Sequence, residues 1–128
     1  MKTDIQLTRD PIDLSALLSL PAPTDGSTVI FLGHVRNREN EVPISALVYE
    51  AYDAMALSEL ERLAHELGHA VTETIIRHRT GSIPVGEIAI ALIVRSPHRA
   101  EGLTFTTRFM DRLKQDVPIW KTESVPIP

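Results

Sequence analysis

The stretch E-I-A-I-A-L-I-V-R-S-P-H-R-A-E-G, residues 87–102, decides the fold. Its first half is apolar on both alternating sets, with Ile88, Ile90, Leu92 and Val94 on one and Ala89, Ala91 and Ile93 on the other. A strand of that kind is covered on both faces and belongs in the middle of a sheet. Ser96-Pro97 then reads as a helix start, with Ser96 as N-cap and Pro97 at the first helical position. The spacing predicts a helix to about Gln115, with Leu103, Thr106, Met110, Leu113 and Val117 as its buried stripe. Pro118 ends the element, and Ile119–Val125 reads as a last strand.

Working outward, Asp53–Val71 is a second long helix with Asp53 as its N-cap. Ala56, Leu60, Leu63, Ala64, Leu67 and Ala70 recur on one side of it. Strands are expected at Ile5–Leu7, Ser27–Val35, Ile44–Tyr52 and Thr72–Arg79, and a short helix opens at Asp10-Pro11-Ile12-Asp13. Gly33 marks a bulge or a close backbone approach. Arg36–Pro43 and Gly81–Gly86 read as loops. Strands and helices mixed in this order predict an α+β fold, a single domain over residues 1–128 with a mixed, mainly antiparallel sheet packed against two long helices.

Composition narrows the function. The 128 residues are 43% apolar and 23% charged, a globular balance. Thirteen basic against seventeen acidic side chains give a formal charge of −4, which disfavours a duplex nucleic-acid binder. Any cationic site is therefore a local cluster. The absence of cysteine removes disulfides, thiolate-bound metals and a thiol nucleophile. Residues 1–11 are polar and carry both charges, unlike a secretory signal, and the apolar run at Ile88–Val94 is too short to cross a bilayer. A cytoplasmic protein is expected.

His65-Glu66-Leu67-Gly68-His69 matches H-E-x-x-H, in which two His one turn apart hold zinc beside a Glu base. At about 100° per residue, His65 and His69 fall opposite Ala56, Leu60, Leu63 and Leu67, on a solvated face without a third ligand. A zinc hydrolase is therefore the least favoured reading.

Other residues suggest anion chemistry. His98 and Arg99 sit in the first turn of the helix after the apolar strand, where unpaired N–H groups and the helix dipole favour a phosphate or carboxylate. An ordinary capped helix explains them equally well. Lys114 lies beside Leu103 and Met110 at the border of the predicted stripe. It fits a partly desolvated base or nucleophile, or a lysine snorkelling at a core edge. Lys121 and Glu123 share one face of the last strand, facing a cleft or forming a surface ion pair. Arg36 opens the polar loop after the strand Ser27–Val35.

Taken together, V-I-F-L-G-H-V-R-N, S-P-H-R-A-E, F-M-D-R-L-K and P-I-W-K-T-E resemble the catalytic large subunits of molybdopterin synthase, in order and spacing, from about residue 27 to residue 123. The resemblance implies a hammerhead-like fold and a sulfurtransferase. Such an enzyme moves two sulfurs onto cyclic pyranopterin monophosphate, making the dithiolene of molybdopterin in molybdenum cofactor biosynthesis. The donor is the C-terminal thiocarboxylate of a small ubiquitin-like subunit, docked on a homodimer of large subunits to give a heterotetramer. No cofactor or metal on this chain is implied. Position by position, Lys114 and Lys121 fall on the catalytic pair, and Arg36, His98 and Arg99 on substrate-binding positions. Phe31, Met110 and Glu123 fall on supporting pocket positions. A binding module that has kept the partner groove but lost catalysis is the competing reading. The five cations are expected to gather in one cavity, even if across a two-fold subunit boundary.

Overall fold

Strand β7 (Ile88–Ser96) is interior, as its two-sided apolar pattern predicts: Ala89 through Ser96 are all buried. The structure is a computed structural model describing residues 1–128. The other elements, numbered in chain order, are β1 (Lys2–Thr8), α1 (Leu14–Leu17), β2 (Ser27–His34), β3 (Arg38–Glu39), β4 (Val42–Ala51), α2 (Asp53–Leu67), β5 (Glu73–Arg79), β6 (Gly81–Pro84), α3 (Arg99–Asp116) and β8 (Ile119–Pro126).

The first sheet has the order β1-β5-β7-β2. β1 runs parallel to β5, and the other pairs are antiparallel, so the sheet is mixed. The long helices α2 and α3 pack against it. Leu60 and Leu63 of α2 meet Phe105 and Phe109 of α3 over Ile76 and Leu92, each at most 2% exposed. Each such side chain contributes roughly 1.5–3 kcal/mol by leaving water. A second sheet, β3-β4-β6, carries β8 on β4 and encloses a smaller core of Val35, Ile44, Leu47, Ile83 and Ala89. The fold is α+β, as expected. No helix is long and apolar enough to cross a membrane.

Several local readings are corrected. Ser96 does not cap α3: it remains in β7, opposite Ser27, and its hydroxyl donates to the His98 carbonyl at 2.7 Å. His98 is the N-cap residue, with extended backbone and no side-chain cap bond. Tyr52, not Asp53, caps α2, and that helix stops at Leu67 rather than Val71. The stripe of α3 is rotated from its expected position. Gly102, Phe105, Thr106, Phe109 and Leu113 are buried, whereas Leu103 is 52% exposed and Met110 only half-buried. The aromatic rings bury more area than Leu103 could, so they set the face.

The stretch Arg36–Pro43 is not simply a loop. Glu39 pairs with Val42 and Arg38 with Pro43, in a hairpin closed by Asn40 and Glu41, both at positive φ (50° and 70°). Two-residue hairpin turns need that handedness to match strand twist. The Gly81–Gly86 segment likewise contains β6, paired with β4. A register shift at Gly33/His34 bears out the irregularity expected at Gly33.

Candidate functional site

The first turn of α3 borders a hollow of about 420 Å³ lined by Gly26, Pro97, His98, Arg99 and Ala100. Its lining contains no carboxylate. His98 and Arg99 are exposed, and the uncapped helix start leaves backbone N–H groups free for an anion. β2 enters beside it: Gly26 N–H donates to the Ser96 carbonyl at 3.1 Å. A Cβ on Gly26 would run into the Pro97 carbonyl oxygen, so this rim accepts only glycine without rearrangement.

The remaining candidates lie elsewhere. Gly102 packs over Ser27 and Val29, so α3 and β2 start at one end of the sheet and run the same way. Lys114 is in the last turn of α3, about 22 Å from Arg99 along the axis. Arg36 follows β2 by two residues, toward that same far end. Lys121 is on β8, opposite Tyr49 of β4, and its Nζ donates to Glu39 Oε2 at 3.0 Å. Phe31 is 36% exposed on β2, Met110 is packed against the main core, and Glu123 is exposed opposite Val48.

One chain by itself therefore does not bring the five cations into a single cavity. The reason is the length of α3: its two ends carry His98–Arg99 and Lys114 and cannot meet. Lys114 is also exposed rather than desolvated at the core border, because the stripe it was placed beside is rotated away. Lys121 does form a surface ion pair, but with Glu39 rather than Glu123. Trp120 is 36% exposed and leans on Tyr52 with ring centroids 4.9 Å apart.

The H-E-x-x-H face is solvated. His65 is bonded to Glu61 at 2.9 Å, Glu66 accepts from Arg62 at 3.0 Å, and His69 is exposed. No group of three His, Cys, Asp or Glu side chains is placed to hold a metal ion. The geometry offers nothing to the zinc-hydrolase reading.

Three residues near Lys121 escaped the sequence reading. Glu39 was hidden because its hairpin turns on Asn40-Glu41 instead of an Asn-Gly pair. Burial pushes the Tyr49 hydroxyl up in pKa, with Lys121 opposing and Glu39 reinforcing the shift. His78 stands edge-on to Tyr49 at 5.5 Å, buried, its Nδ1 bonded to the Arg79 carbonyl at 2.9 Å. Burial pushes the His78 imidazole below its ordinary value of 6.5, more than the bond to Arg79 raises it. Below about pH 6.5 the unfolded chain binds a proton there that the fold resists, so stability falls with pH from that point down to the folded-state value. Urea unfolding at about pH 7.5 and pH 5.5 checks this. The loss of midpoint at the lower pH is expected to be smaller in His78→Asn, and an equal loss would show that His78 is not its source.

The family described as MoaE protein matches residues 7–116. The molybdopterin synthase catalytic subunit of Pyrococcus abyssi is 35% identical over 127 residues, covering 95% of this chain and 86% of that protein. The protein of the same name from Drosophila melanogaster is 36% identical over 123 residues, 93% of this chain. The chain spans only about a third (34%) of that longer relative. The crystal structure of molybdopterin synthase from Staphylococcus aureus superposes with a TM-score of 0.84 at 30% identity, covering 94% of this chain and 90% of that one.

Proposed function

The chain belongs to the MoaE protein family, and from that premise we propose that it is the sulfur-installing subunit of a molybdopterin synthase. Its substrate is cyclic pyranopterin monophosphate, and its product the dithiolene of molybdopterin. The sulfurs come from the C-terminal thiocarboxylate of a small ubiquitin-like subunit. The observation that carries this reading is the carboxylate-free hollow at the start of α3, where His98, Arg99 and free backbone N–H groups suit a ring phosphate. A chain without cysteine also needs its sulfur delivered by a partner.

The split of the cations shapes the mechanism. A substrate held at His98–Arg99 is out of reach of Lys114 in the same chain. We therefore place the reaction between two copies related by a two-fold axis, with His98 and Arg99 of one facing Lys114, Lys121 and Arg36 of the other. An isologous dimer of this kind has two equivalent sites, and a small subunit docked on each gives a heterotetramer. Arg36 receives the anionic tail. As each sulfur bonds to a pterin carbon and displaces an oxygen there, its bond to the tail's acyl carbon breaks and water takes its place, freeing the tail as a carboxylate; negative charge develops on the acyl oxygen and on the departing oxygen. Lys114 and Lys121 stabilise that charge or move protons to and from it. Phe31, Met110 and Glu123 wall the lysine end. The working unit is one domain over residues 1–128 with a hammerhead-like form, acting in the cytoplasm.

The test is incubation of the chain with a thiocarboxylated ubiquitin-like protein and cyclic pyranopterin monophosphate, with mass detection of the product. Dithiolene formation is the expected result. Calorimetric binding of the small subunit without product would favour the non-catalytic binding module.

A further inference from the structure

We propose that Glu39 is a positioning residue that holds the Lys121 ammonium in one geometry on β8. The inference rests on the reading of Lys121 as catalytic and adds a residue which that reading does not contain. Glu39 Oε2 accepts from Lys121 Nζ at 3.0 Å. The carboxylate is the more protected partner, 20% exposed against 49% for the lysine, so the lysine is the end that swings when the pair opens.

The backbone fixes where that carboxylate stands. Glu39 is in a two-residue strand, paired with Val42 across a tight turn. The Arg38 guanidinium donates to the Glu41 carbonyl at 3.1 Å, and Ile44 N–H donates to the Asn37 carbonyl at 3.0 Å. These bonds tie both sides of the turn. Tyr49, opposite Lys121 on β4, stands within electrostatic reach of both charges and is braced by buried His78.

A free lysine side chain samples many rotamers, and a catalytic group held in one geometry saves that entropy at the reaction. An exposed ion pair gives little stability. The consequence of this one is directional: it aims an ammonium that would otherwise wander.

The experiment compares wild type with Glu39→Gln and Glu39→Asp. Nuclear relaxation of the Lys121 ammonium reports its order without requiring turnover. The expected result is an ordered Lys121 in wild type, a mobile one in E39Q and recovery of order in E39D. In steady-state sulfur transfer, kcat of E39Q is expected to fall about tenfold with no rise in KM for the small subunit, and E39D to recover most of it. Equal Lys121 order in wild type and E39Q overturns the proposal, as does an unchanged kcat. A wild type that makes no product overturns the functional reading instead, and the positioning claim is then decided by the relaxation data alone.

Discussion

Lys114→Ala is expected to reduce pterin conversion by roughly 100- to 1,000-fold or more, the range seen when one preorganised charge-stabilising donor is removed. Its fold should survive. Lys114 is exposed and lies outside the core, so the main cost in stability is its favourable position in the last turn of α3, about 0.3–1 kcal/mol. A purified turnover assay beside a urea melt separates the two effects. Near-normal turnover would remove Lys114 from the chemistry. Inactivity accompanied by a large loss of stability would show that the side chain is structural. Lys114→Arg keeps the charge but changes its shape and reach, so partial activity there is expected if stabilisation of developing charge is the main role.

Phe109→Ala is expected to have the largest effect on stability. Phe109 is fully buried, stacked on Phe105 at 5.4 Å between centroids, in the core where α2, α3 and the first sheet meet. Truncation of such a ring costs about 3–5 kcal/mol, through lost burial and the cavity left behind. For a chain of this size that lowers the melting temperature by about 10–20 °C. Leu103→Ala, six residues earlier and half exposed, should change it little. Equal losses for the two would contradict the packing described for α3.

That pair of substitutions also marks where sequence and structure part. The strand at Ile88–Ser96 was legible because apolar residues on both alternating sets leave only the sheet centre. The existence of α2 and its solvated His65–His69 face were legible from helical spacing. The face of α3 was not, since Leu103, Phe105, Phe109, Met110 and Leu113 offer two overlapping stripes. The larger rings take the core, and choosing between the stripes needs the volume beneath the helix. The hairpin at Asn40-Glu41 lacked the glycine that signals such a turn, and Glu39 was lost with it.

The candidate site residues stand out in the sequence as types and motifs, but their places in the fold do not. Arg99 and Lys114 lie on one predicted helix, and its rise alone separates them by about 22 Å. The helix itself therefore excludes a single-chain cavity, and a shared site needs the two-fold subunit boundary. What one chain's sequence lacks is the second copy that could close the distance.

Mixing two inactive variants tests that closure. Arg99→Ala chains and Lys114→Ala chains, unfolded together and refolded, should form mixed dimers in which one of the two sites is intact. With random pairing, about a quarter of wild-type turnover should return. If both residues serve one site within a single chain, every site in the mixture is damaged, and turnover staying at the level of the separate variants would contradict the shared site.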